Sequence, residues 1–119
     1  MEHCKDLDIL SVTTTVASRA DALGLARLIL QRRLAACVQV EEGLSSLYRW
    51  QGKECEDPEV RLTIKTVPAA ADALLALFRD KHPYELPQFL AVAMQASPDY
   101  AAWARSEVQP GRGGEPDPV

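Results

Sequence analysis

From Glu59 to Lys65 the chain reads Glu-Val-Arg-Leu-Thr-Ile-Lys, an unbroken alternation of polar and apolar residues. Successive side chains of a strand point to opposite faces, so Val60, Leu62 and Ile64 must line a core while Glu59, Arg61, Thr63 and Lys65 occupy the other side. One such strand forces the rest of the chain to supply a sheet and a layer covering its apolar face. It also leaves open what meets the charged face.

The neighbouring segments answer the first demand. "LDILSVTTTV" (Leu7 to Val16) is rich in β-branched residues and reads as a first strand. Ser18, with Asp21 three residues later, has the spacing of a helix N-cap. In the helix that follows, Leu23, Ala26, Leu30 and Leu34 are expected on one face with Ile29 beside them. Gly24 is expected to mark a close contact between this helix and the sheet. "AACVQVEEGLSSLYRW" alternates as a long strand, with Glu42-Gly43 breaking the period as a bulge would. Gln51-Gly52 reads as a hairpin turn leading into the strand of Val60 to Ile64. Pro68 opens a second helix with Ala71, Leu74, Leu75 and Phe78 at helical spacing. Pro83 closes it and pushes His82 out of the helical region. "FLAVAM" reads as a buried fourth strand, and Ser97-Pro98-Asp99 caps a last helix bearing Tyr100 and Trp103.

The order β-α-β-β-α-β plus a terminal helix predicts an α+β, ferredoxin-like split βαβ fold in a single domain over residues 7–108. Met1 to Asp6 and the Pro- and Gly-rich residues 109–119 are expected to be loose. The charged face remains: Cys37, Glu59, Arg61, Thr63 and Lys65 with aromatic neighbours are too polar for a second helix layer and too aromatic for plain surface. Packing against further copies of the chain resolves this, so an oligomer is expected.

A net charge of −4 offers no basic face for nucleic acid. The basic group Arg27, Arg32 and Arg33 reads as a solvated helix surface. The longest apolar runs fall far short of a membrane span, and no leader pattern opens the chain, so a cytoplasmic protein is expected. Three cysteines, Cys4, Cys37 and Cys55, form no CxxC pair, which argues against a zinc knuckle or a thioredoxin-like site. Nucleotide-loop and serine-hydrolase motifs are absent, and no organic cofactor is expected.

Five segments in sequence, "RRLAACVQV", "SSLYRWQGK", "EVRLTIKT", "HPYELPQF" and "DYAAW", resemble the CutA family of divalent-cation tolerance proteins over about Ile9 to Trp103. The resemblance implies a homotrimer with sheets packed together and a kinship in shape with PII signalling proteins. It also implies a role in tolerance of divalent metals, copper above all, with sites in clefts between subunits. No catalytic reaction is carried over, so the expectation is a binding protein and not an enzyme. Metal-ligating candidates are His82, Cys37 and Glu85, since imidazole and thiolate suit copper. Each has a structural alternative: His82 as a helix stop, Cys37 as a small buried hydrophobe. Where some members carry a cysteine and a second histidine, this chain has Thr14 and Lys81. Tyr48, Trp50, Glu59, Lys65 and Tyr84 are cleft or ligand-binding candidates, with interface packing as the alternative for the aromatic ones. A PII-like reading, in which Lys65, Arg49 and the aromatics bind a small anionic metabolite or nucleotide, stands beside the metal one. His82 with Glu85 as an acid–base pair is a third reading, and a scaffold for partner proteins a fourth.

Overall fold

A computed structural model describes residues 8–109. His3, Cys4 and the stretch 110–119 lie outside the described residues. Strand β1 spans Asp8–Val16, helix α1 Arg19–Gln31, strand β2 Cys37–Trp50, strand β3 Lys53–Thr66, helix α2 Ala71–Lys81, strand β4 Leu90–Gln95 and helix α3 Pro98–Glu107. The four strands form one antiparallel sheet in the order β2-β3-β1-β4. That crossing order and element sequence are the ferredoxin-like split βαβ arrangement read from the sequence.

Local chemistry places the boundaries. The Ser18 hydroxyl accepts from the Asp21 N–H at 3.1 Å and starts α1. Pro68 begins a 3-10 turn that runs into α2, where its missing donor costs nothing. His82 leaves the helix with ψ 137° while its N–H still bonds the Phe78 carbonyl at 2.9 Å. Gln51 and Gly52 both take positive φ, 51° and 79°, as the tight β2–β3 turn requires.

Both α1 and α2 cover the same sheet face. Val12, Val16, Ile29, Leu34, Leu62, Ile64, Leu74 and Phe78 are essentially inaccessible and form the core between the layers. Thr14 and Thr66 are buried among them. The Thr66 hydroxyl is accommodated because it donates to the Leu34 carbonyl at 2.6 Å.

Three expectations need correction. The buried stripe of α1 is Ala22, Leu25, Ala26 and Ile29, while Leu30 is 43% exposed and Leu23 half-buried. The stripe is therefore rotated relative to the Leu23–Leu30 line. Gly24 makes no close approach: a Cβ built there would meet nothing within 4 Å. The short strand β4 is not buried in the single chain. It is the sheet's edge, and all six of its residues are exposed.

Candidate functional site

The register of the sheet lays out its second face row by row. Cys37 pairs with Lys65, Lys65 with Ser11, and Ser11 with Val92. The next row is Gln39, Thr63, Thr13 and Leu90, and the one after joins Glu41, Arg61 and Thr15. Arg61 meets Glu41 at 2.7 Å across that row. At the β4 end the face is apolar: Leu90, Val92 and Met94 are 57, 61 and 44% exposed. No described helix covers them.

Between Glu41 and Leu44 the ladder slips by one residue, with Gly43 at φ 86°. A positive φ of this kind is natural for glycine and strained for a branched residue. Beyond the bulge Leu44 faces Glu59, Ser46 faces Asp57, Tyr48 faces Cys55 and Trp50 faces Lys53. Ser46, Tyr48 and Trp50 therefore share a side with Glu59.

The Pro83–Gln88 segment after α2 closes this side into a groove of about 800 Å³, lined by Thr15, Ser46, Tyr48, Trp50, Glu59, Tyr84 and Glu85 among others. Glu59 is its fixed point. One carboxylate oxygen accepts from the Tyr84 hydroxyl at 2.7 Å and the other from the Ser46 hydroxyl at 2.7 Å. Burial, and then Glu59, push the Tyr84 phenol well above the usual tyrosine range. The Tyr48 hydroxyl donates to Asp57, and that bond chiefly pushes its phenol up to about 12. Both phenols are thus protonated donors at neutral pH.

His82 lies under one wall of this groove and is buried. Its Nδ1 accepts from the Tyr84 N–H at 3.1 Å, and its Nε2 sits 2.9 Å from the Thr14 hydroxyl. A backbone N–H can only donate, so in the neutral ring the proton is on Nε2. Phe78 and Tyr84 pack on the imidazole with ring centroids 5.3 Å away. Burial lowers its pKa below the usual histidine value, and a hydrogen bond with the Thr15 backbone opposes this.

The structure sorts the sequence candidates into separate places. Tyr48, Trp50, Glu59, Tyr84 and Glu85 line the groove together. Lys65 does not; it borders a smaller depression of about 270 Å³ with Ile9, Met94 and Tyr100. Arg49 pairs with Glu54 in the ladder and is not part of the groove lining. Cys37 is half-buried in the Lys65 row, away from the groove. Among the described residues no three of His, Cys, Asp and Glu gather as a metal centre. The trio His82, Cys37 and Glu85 is accordingly not assembled within one chain, and both nitrogens of His82 are already engaged. Sequence reasoning missed Ser46 and Asp57, although the alternation that exposes Tyr48 and Trp50 carries Ser46 with them. Thr15 and the Thr14 bond to His82 left no local signal.

What the groove can offer is oxygen. Among the described residues its lining holds two carboxylates and several hydroxyls and contains no lysine or arginine. No described helix is long and apolar enough to cross a membrane.

A family model described as CutA1 divalent ion tolerance protein matches residues 10–107. The divalent-cation tolerance protein CutA of Thermus thermophilus is 38% identical over 95 residues, covering 79% of this chain and 92% of that protein. The mouse protein CutA is 40% identical over 80 residues, 66% of this chain and 45% of the mouse protein. Among solved structures, the divalent cation tolerance protein of Thermus thermophilus superposes with a TM-score of 0.82 at 35% identity, covering 85% of this chain and 99% of that one. CutA1 from Oryza sativa gives 0.82 at 31% identity over 87% and 95%. With residues 10–107 matched by the family model and its fold shared, this chain belongs to the CutA1 family of divalent-ion tolerance proteins.

Proposed function

We propose that the protein serves divalent-cation tolerance as a homotrimeric binding protein, meeting the ion at the Glu59 groove where subunits adjoin. The observation that carries this reading is the charge of the groove: Glu59 and Glu85 face it, with no lysine or arginine among the described residues of its lining. A small anion, the PII-like alternative, would meet two carboxylates there and no cation. The apolar end of the second sheet face supports assembly, because three adjacent large side chains left in water favour a partner surface.

Glu59 and Glu85 are the residues that would hold the ion, and hydroxyl oxygens of Ser46 and Thr15 complete an oxygen-rich lining. Copper favours imidazole and thiolate. Neither is among its lining residues, so manganese matches these oxygen donors better than copper. Binding without chemistry is the role we infer: His82 is buried and is not among the residues that line the groove.

Calorimetric titration of manganese, zinc and copper against the wild type, Glu59→Gln and Glu85→Gln tests the proposal. Saturable binding of about one ion per subunit is expected. Affinity should weaken at least tenfold, about 1.4 kcal/mol, in Glu59→Gln. Binding that ignores both substitutions would refute it.

A further inference from the structure

We infer that His82 is a positioning residue and not a ligand: as a neutral imidazole protonated on Nε2, it bridges β1 to the Tyr84 backbone and so sets the Tyr84 hydroxyl on Glu59. This departs from the metal-ligand role that the family resemblance implies for the same histidine. It concerns the groove of the proposed function yet holds whether or not an ion enters it.

Pro83 creates the arrangement. By ending α2 it turns His82 into extended backbone, ψ 137°, which tucks the ring beneath the segment that follows. Each imidazole nitrogen has a single in-plane bonding direction. Nδ1 spends its lone pair on the Tyr84 N–H at 3.1 Å, and Nε2–H is directed at the Thr14 hydroxyl 2.9 Å away. A metal taking Nδ1 would strip the Tyr84 N–H of its acceptor. A metal taking Nε2 would displace the proton and abandon a hydroxyl that is itself fully buried. The rings of Phe78 and Tyr84, each centred 5.3 Å from the imidazole, hold it in place.

Tyr84 is consequently fixed at two points. Its backbone N–H is held by His82, and its hydroxyl by Glu59, 25 residues away in sequence. The second contact depends on the first, because the position of the backbone decides where the phenol reaches. Besides the Thr15 backbone, the hydrogen bonds of His82 go to Thr14 and Tyr84, while those of Glu59 go to Ser46 and Tyr84, so the histidine shapes the groove through Tyr84.

Nitrogen-15 NMR on the full chain tests this. The expected signature is a through-hydrogen-bond coupling between the Tyr84 amide nitrogen and His82 Nδ1, with the ring proton on Nε2. Both ring shifts should stay unmoved when zinc is added to saturation. In His82→Phe the Tyr84 amide should exchange with solvent at least tenfold faster, and His82→Asn, whose amide oxygen lies where Nδ1 accepts, should restore protection. If His82→Phe does not fold, Thr14→Val supplies the test: exchange of the Nε2–H should rise at least tenfold while the Tyr84 coupling persists. A proton on Nδ1, a zinc-induced change in either ring nitrogen, or unaltered exchange in these variants would overturn the inference. If zinc fails to bind at all, the cation reading falls, whereas the coupling and the tautomer still decide this one.

Discussion

Val92→Asp is the sharpest probe of assembly. Val92 sits between Leu90 and Met94 on the uncovered end of the second sheet face. Fully burying an aliphatic side chain contributes about 1.5–3 kcal/mol. These three side chains are 57, 61 and 44% exposed, so roughly half of that gain is still available. Covering them would contribute roughly 1 kcal/mol each, roughly 3 kcal/mol per protomer. The aspartate removes one share and adds a carboxylate whose desolvation costs several kcal/mol when unpaired. Lys65, two strand spacings or about 10 Å away in the same row, offsets part of that cost. Even a net loss of about 1.4 kcal/mol per protomer, taken three times, weakens a trimer about a thousandfold. Sedimentation velocity at micromolar concentration should show a trimer for the wild type and the 13.1 kDa protomer for the variant. Circular dichroism should be unchanged, since the Val92 side chain is exposed in the protomer. A wild type that sediments as a protomer, or a variant that remains trimeric, would refute the reasoning.

Gly24→Ala should stabilise the chain by about 0.5–1 kcal/mol, because the added Cβ enters open space on an exposed helix surface; thermal melting measures it. Thr66→Val should cost about 1–3 kcal/mol in urea unfolding, since the buried Leu34 carbonyl loses its 2.6 Å donor. The lowered pKa of His82 means that the unfolded chain takes up a proton first as pH falls. Its contribution to stability is therefore complete above the ordinary histidine value of about 6.5 and declines as pH drops below it. Urea midpoints compared at neutral and mildly acid pH should show that decline, and His82→Phe should lessen it. Asp57→Asn should bring the Tyr48 phenol down from about 12 towards the ordinary value near 10, read by phenolate absorbance.

Much of this architecture is legible in local patterns, and the places where they mislead have physical causes. The alternation of Val60, Leu62 and Ile64 defines one strand completely, and the Ser18 cap and Pro83 stop fix two helix ends. Helix α1 is ambiguous because Leu23, Leu25, Ala26, Leu28, Ile29 and Leu30 are all apolar; several stripes fit, and only the sheet beneath selects one. Strand β4 reads as core because hydrophobicity signals burial without saying whose atoms do the burying. The groove is harder still. Tyr84 reaches Glu59 across 25 residues and His82 reaches Thr14 across 68, and neither contact leaves a spacing rule. Glu59 and Lys65 look equivalent on one alternating face, yet the sheet's length carries them into different depressions.

The bulge at Gly43 has a further consequence. Before it, odd-numbered residues Cys37, Gln39 and Glu41 look towards the second face; after it, even-numbered Leu44, Ser46, Tyr48 and Trp50 do. A side chain such as valine at Gly43 resists the φ of 86° and favours an uninterrupted ladder. In that ladder parity would be conserved, delivering Ser45, Leu47 and Arg49 to the side of Glu59. An arginine and a leucine would then stand where a tryptophan and a tyrosine do, and a single guanidinium would offset one of the groove's two carboxylates although none of the lining residues had been substituted.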